Sequence, residues 1–290
     1  ASAPFTRATR GLKMDDWLSQ RPAPTRFHPL HFILGLVRFL ALVLLIYGGV
    51  ALMVLLRLLE LPLFGARRPW TPLITQFVCL GALQIFGLRL HLYGQPYFGR
   101  RFQPVTSVSN HISWMDIFVL NAAARSYFVA KSEVAGWPGI GLLARVTGTL
   151  FINRKKQHAK AQQAFFKKRL SLGHHLTFFP EGTSSDGVRI LPFKSTLFEA
   201  LLTDNIKNAA IQPISLRYQP AQGYDARLYG WWGNMGFTGH FWRILTTPQH
   251  GDVYVTYHAP LMARDFPNRK ALAQACHAKV LAGFTAVPMS

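Results

Sequence analysis

From residue 39 to residue 56 the chain carries no charged side chain, and nearly every position is Leu, Val, Ile, Ala, Met or Phe. At about 1.5 Å per helical residue this run spans roughly 27 Å, close to the hydrocarbon thickness of a bilayer. Arg38 and Arg57 bracket it, and their aliphatic stems can lie along apolar surface while the guanidinium groups reach water. A buried helix of a soluble protein keeps a polar stripe over such a length, and this run has none, so a membrane-inserted helix is expected. A second apolar stretch, residues 73–88, is shorter and holds Thr75, Gln76, Gly81 and Gln84. It fits a second span, a re-entrant segment or a helix lying in the interface. Pro62, Gly65, Pro69 and Pro72 break the chain between the two stretches. Basic residues flank the first run on both sides, which gives no orientation by loop charge; a hairpin that enters and leaves by one face removes that conflict.

Beyond residue 89 the pattern becomes short apolar runs alternating with helical periods. Strands are expected at 105–109, 127–130, 149–152, 176–179, 211–217 and 253–258. Helices are expected at 116–124, 140–146, 155–172, 196–202 and 269–282, with Gly173 closing the third. This rhythm predicts an α/β fold, a mixed sheet with flanking helices, preceded by an N-terminal membrane-associated helical hairpin. Three regions follow: a basic arm over 1–29 with a short helix at 14–18, membrane-anchoring helices over 30–90, and an α/β domain over 91–290.

The 290 residues include 32 Lys and Arg against 12 Asp and Glu, a formal charge of +20. That excess points to an anionic partner, either an acidic lipid surface or an acidic carrier. Nucleic acid is not expected, because no zinc-finger spacing, RNA-recognition signature or heptad-linked basic region accompanies the charge. The two cysteines, Cys79 and Cys276, lie far apart, which argues against a disulfide scaffold or a zinc site and suits a reducing compartment.

Two short motifs 70 residues apart carry the chemistry. The first is Ser109-Asn110-His111-Ile112-Ser113-Trp114-Met115-Asp116, and the second is Phe178-Phe179-Pro180-Glu181-Gly182-Thr183-Ser184-Ser185. Together they resemble the glycerolipid acyltransferase family, whose prototype acylates lysophosphatidic acid. A hydroxyl is a poor nucleophile at neutral pH and must lose its proton as it attacks, which suits a histidine base. A carboxylate on the other ring nitrogen fixes the tautomer and stabilises the imidazolium. His111 and Asp116 meet this need if His111 follows a strand and Asp116 opens the next helix, where the helix dipole favours a carboxylate. Ser113 is not set in a Gly-x-Ser-x-Gly elbow, and an acyl thioester needs no covalent nucleophile.

The resemblance covers about residues 89–260. It makes His111 the general base and Asp116 its orienting partner. It places Asn110, Arg154, Glu181, Gly182, Thr183 and Ser184 at the acceptor site. Arg154 ends Gly148-Thr149-Leu150-Phe151-Ile152-Asn153-Arg154, a block that resembles the one whose arginine contacts the head group. Ile211-Gln212-Pro213-Ile214-Ser215 is similar to the last block, and the Phe193-Lys194 pair is also family-like. The implied reaction moves a fatty acyl group from acyl carrier protein or coenzyme A to a membrane lysolipid, by family default 1-acyl-sn-glycerol-3-phosphate. No metal and no cofactor beyond the acyl thioester co-substrate is expected, and the implied setting is a bacterial inner membrane with the catalytic domain facing the cytoplasm.

One departure bears on the acceptor. Lysophosphatidate enzymes usually carry Arg directly after Phe-Pro-Glu-Gly-Thr, where this chain has Ser184 followed by Ser185-Asp186-Gly187. That form, with Trp231-Trp232-Gly233-Asn234-Met235, resembles the branch acting on lyso-ornithine lipid, a phosphorus-free aminolipid. Arg189 or Lys194 can stand in for the missing charge, so both acceptors stay open. A non-catalytic lipid-binding membrane protein is the alternative of another class, and the intact His111 and Asp116 argue against it.

Overall fold

The computed structural model describes residues 16–22, 28–99, 103–153, 159–202, 206 and 208–286. The uncharged run lies inside one long helix, α1 (Pro29–Phe64), 36 residues and roughly 54 Å long. Pro29 stands in its first turn, where a missing N–H costs nothing, and Gly65 with φ 57° ends it. A tight connection leads to α2 (Thr71–Phe86), so the two form the expected hairpin. The left-handed Gly87 closes α2, its N–H and that of Leu88 returning to Gln84 and Leu83 carbonyls. Glu60 of α1 clamps the hairpin: one carboxylate oxygen accepts the N–H of Trp70 at 2.5 Å and of Thr71 at 2.9 Å, and the other accepts the Thr71 hydroxyl.

The rest is an α/β unit in chain order β1 (Arg89–Tyr93), β2 (Val105–Ser109), α3 (Asp116–Ala123), β3 (Tyr127–Lys131), α4 (Ile140–Val146), β4 (Leu150–Ile152), α5 (Ala159–Ser171), β5 (Leu176–Phe178), β6 (Ala210–Gln219), α6 (Phe237–Thr246), β7 (Asp252–Tyr257), β8 (Leu261–Met262) and α7 (Arg269–Ala286). The sheet order is β1-β7-β6-β2-β5-β3-β4, with β8 beside the start of β6. Strands β6, β2, β5, β3 and β4 run parallel, while β7 and β1 run against them, so the sheet is mixed as expected. All five residues of β2 are buried, the mark of a strand covered on both faces.

Two apolar cores sandwich the sheet. On one side Leu42 of α1 and Cys79, Leu83 and Phe86 of α2 pack with Ile112, Met115, Val119, Leu216, Val253 and Val255. On the other, Phe166, Phe198, Leu272 and Cys276 cover Val108, Leu176 and Phe178. The hairpin therefore shares its inner face with the core of the α/β unit. Its outer face is apolar and exposed, with Leu44, Leu58, Leu63 and Phe77 each about two-thirds or more open.

Several expectations need correction. The sequence reading missed β1 and α6. The segment expected as a helix at 196–202 is a tighter 3-10 turn, Leu197–Leu201, and the expected short helix at 14–18 is a 3-10 turn at Asp16–Leu18. The start of the helix expected at 155–172 lies outside the described residues, as does most of the 1–29 arm.

Candidate active site

Parallel strands β2, β5 and β3 end at one edge of the sheet, and the segments that leave them carry the site. The chain leaves β2 through Asn110 and His111. Asn110 is fully buried, and its amide bridges the backbone of β6, donating to the Leu216 carbonyl and accepting the Leu216 N–H, both at 2.8 Å. Its expected place among the acceptor contacts is thus corrected: Asn110 is a tie between two strands that fixes where His111 begins.

Asp116 is the first residue of α3 and is fully buried. Its Oδ2 accepts the N–H of Ile112 at 2.7 Å and of Ser113 at 3.0 Å, and meets Nδ1 of His111 at 2.7 Å. Its Oδ1 accepts the Tyr218 hydroxyl of β6 at 2.9 Å. Two backbone donors on one oxygen hold the carboxylate and so set the imidazole. The Phe179 ring lies parallel to that imidazole, centroids 4.1 Å apart. With Nδ1 engaged, Nε2 is the ring nitrogen left to face a ligand; it makes no hydrogen bond among the described residues, and the His111 side chain stays one-fifth exposed. The Ser113 hydroxyl is buried, with no hydrogen-bond partner among the described residues, which removes it as an exposed nucleophile.

Glu181 is buried beneath the same turn. Its two oxygens accept the N–H of His111 at 2.8 Å and of Leu191 at 3.0 Å. Burial pushes its carboxyl up to about 8, against the pull of those two donors. Glu181 thus binds the two motifs together from inside, and the exposed Thr183 is the part of this turn that faces out. Gly182 takes φ 74°, which bends the chain so that the Ser185 N–H reaches the His111 carbonyl at 2.8 Å. Ser184 is buried and gives its hydroxyl to the Trp231 carbonyl, so its side chain is not directed at an acceptor. Arg189 does not supply a free charge either: its guanidinium holds the fully buried Asp186 at 3.1 Å and covers the Trp17 ring. Lys194 is exposed, and Arg154 lies outside the described residues.

The residue that the sequence reading missed is Tyr218; Phe179 and Trp231 stand in the quoted motifs but were given no place beside His111. The N–H of Trp231 donates to the Ile112 carbonyl at 2.9 Å, which brings the segment after β6 against the first motif. Among the described residues, no three His, Cys, Asp or Glu side chains gather as metal ligands.

A buried carboxylate behind a partly exposed histidine, at the strand ends of a mixed sheet beside an exposed apolar hairpin, suits a membrane-associated transferase of acyl groups. The family model described as Acyltransferase matches residues 92–217, and the chain belongs to that family. A lyso-ornithine lipid O-acyltransferase of Rhodobacter capsulatus is 47% identical over 92% of this chain and 96% of its own. A 1-acyl-sn-glycerol-3-phosphate acyltransferase of Neisseria gonorrhoeae is 33% identical over 49% of this chain and 54% of its own. The crystal structure of the 1-acyl-sn-glycerophosphate acyltransferase PlsC of Thermotoga maritima superposes with a TM-score of 0.66 at 18% identity, covering 90% of this chain and 98% of that one. The chain is therefore an acyltransferase of lysolipids and a membrane protein.

Proposed function

We propose that His111 is the general base of an acyl transfer from a thioester to a lysolipid hydroxyl. The observation that carries this is the His111–Asp116 pair, with Nδ1 fixed at 2.7 Å and Nε2 left for the acceptor. As the hydroxyl oxygen attacks the thioester carbonyl, its proton passes to Nε2; the C–O bond forms, the C–S bond breaks, and the proton leaves with the thiolate as free thiol. Asp116 stabilises the imidazolium in between. Glu181 shapes the turn, and Thr183 and Arg154 contact the acceptor. The donor is acyl carrier protein or a coenzyme A thioester, both anionic and both drawn by the +20 charge of the chain. The same charge holds the enzyme on anionic lipid, and the hairpin inserts its apolar face from the cytoplasmic side of a bacterial inner membrane, where acyl thioesters are found.

Two acceptors rest on different observations. Lysophosphatidic acid is the family default and is the acceptor in the name of the Neisseria relative. Lyso-ornithine lipid is favoured by the Rhodobacter relative, which matches almost the whole chain, and by Ser184, which is turned inward to Trp231. The test is transfer of labelled acyl groups by the detergent-solubilised protein to each lysolipid side by side, with His111→Ala as control. Product from either lysolipid in the wild type, lost by at least about a hundredfold in the variant, is expected. Near-wild-type turnover by His111→Ala would sink the mechanism. Product from one lysolipid alone assigns the acceptor.

A further inference from the structure

The segment between β6 and α6 lies beyond the residues that the family model matches, yet it closes on both motifs. Trp231 is held there by three bonds: its N–H to the Ile112 carbonyl, its carbonyl to the Ser184 hydroxyl, and its indole N–H to the Met235 carbonyl at 2.8 Å. With the indole N–H turned inward, the ring is fixed and partly open. Trp137, in the stretch that leaves β3 at the same sheet edge as His111, meets it edge-on, centroids 5.9 Å apart and planes at 88°. Phe237 stands at 84° to Trp231 from another side. Trp137 is 39% exposed, so the corner opens to solvent instead of closing as core. The rings touch edge to face, and the outer side of the corner keeps ring face over which no Lys or Arg lies among the described residues; such open faces attract an organic ammonium group through their negative charge.

We propose that Trp137 and Trp231 form an aromatic corner that receives the primary ammonium group of the acceptor's head group while its hydroxyl lies at His111. This deepens the aminolipid reading of the acceptor and rests on it. Ser184 then has a part in acceptor choice without touching the lipid, because its hydroxyl sets the place of Trp231.

The test compares wild type, Trp137→Leu and Trp137→Phe on three acceptors: lyso-ornithine lipid, its δ-N-acetyl derivative, in which the amine is uncharged, and lysophosphatidic acid. Trp137 is exposed, so its variants are expected to fold, and thermal unfolding checks this. Expected is a roughly tenfold fall of kcat/KM for lyso-ornithine lipid in Trp137→Leu, recovered in large part by Trp137→Phe, which keeps a ring. The acetylated lipid and lysophosphatidic acid are expected to react equally in all three proteins. An equal fall with every acceptor would make Trp137 a membrane-interface or folding residue and overturn the proposal, as would no fall at all. Absence of product from lyso-ornithine lipid in the wild type itself would overturn the aminolipid reading first and this proposal with it.

Discussion

The carboxylate behind His111 can be stripped of its charge almost without disturbing its surroundings, which makes Asp116→Asn the sharpest test of the mechanism. Oδ2 of Asp116 faces two backbone N–H groups and the imidazole, and Oδ1 faces the Tyr218 hydroxyl. An asparagine fits in one orientation. Its oxygen must take the Oδ2 place, because an NH2 group there would confront the N–H groups of Ile112 and Ser113. Its NH2 then meets the Tyr218 oxygen, which can accept as well as donate. The imidazole keeps its partner and its tautomer, and only the negative charge is gone. With the proton on His111 the two charges sit about 4 Å apart, worth about 4 kcal/mol at an effective dielectric of about 20. The lower bound is the excess of a charge-assisted hydrogen bond over a neutral one, about 1 kcal/mol. The expected loss in kcat/KM is therefore about fivefold to a thousandfold. The assay is the initial rate of thiol release with lysolipid present, with thermal unfolding as the control for folding. A variant that unfolds like the wild type and keeps kcat/KM within about threefold would refute the argument, and Asp116 would then be a structural tie alone.

Three further outcomes follow from the packing. Asn110→Ala leaves the N–H and carbonyl of Leu216 buried without partners, a loss of about 2–5 kcal/mol that chemical denaturation would measure; Asn110→Asp restores only the acceptor half. Gly251→Ala would put a Cβ 1.9 Å from the Gln219 carbonyl oxygen and 2.7 Å from the Pro220 carbonyl carbon, both backbone, so a loss of about 3 kcal/mol or more and a lower unfolding temperature are expected. Burial, with Arg169, Arg243 and Arg38 as the respective nearby cations, pushes His174, His240 and His250 down to about 4. The unfolded chain takes up these protons near pH 6.5 and the folded one only near 4, so stability is full above 6.5 and falls as pH drops toward 4. Glu181, pushed up to about 8, works in the opposite direction, but four imidazoles, with His175 also pushed down to about 4 by burial, against one carboxyl leave the net slope. The unfolding midpoint is expected to drop steadily between pH 6.5 and 4.5, and a flat profile would contradict it.

What the sequence made legible was local. The turn from β2 into α3 places His111 and Asp116 five residues apart, and β2, β5 and β6 lie where strands were expected. Strand β1 escaped because Arg89, His91 and Tyr93 alternate as an edge strand does, and its partner β7 begins with Asp252, which takes Arg89 at 2.7 Å. Helix α6 escaped because Gly236 stands just before it and Gly239 in its first turn, and its aromatic side gains meaning only from contact with α1, where Phe39 meets Phe241 and Phe32 meets Trp242. Asn110 and Glu181 read as ligand contacts because a polar residue in a motif invites that reading. Their partners, Leu216 for Asn110 and both His111 and Leu191 for Glu181, offer backbone groups, and no side-chain pattern reveals those.

These ties explain why the membrane-facing helices and the chemistry form one object. Trp114, three residues after His111, touches Phe86 of α2 and Phe237 and Phe241 of α6, and Phe241 in turn touches Phe39 of α1. Arg38 of α1 donates to the Leu245 and Thr247 carbonyls at the end of α6, which stops the helix from sliding along that surface. The turn bearing His111 is thus wedged between strand β6, through Asn110, and the hairpin, through Trp114. A lysolipid has its chain among lipid tails and its hydroxyl near the head groups, so a base that accepts that proton must stand at a fixed depth. A flexible linker between anchor and domain would leave the depth free. The contiguous packing from Leu42 through Phe86 and Trp114 to the His111 turn fixes it, and it accounts for a hairpin whose outer face is left to lipid while its inner face is spent on the same core that orders the site.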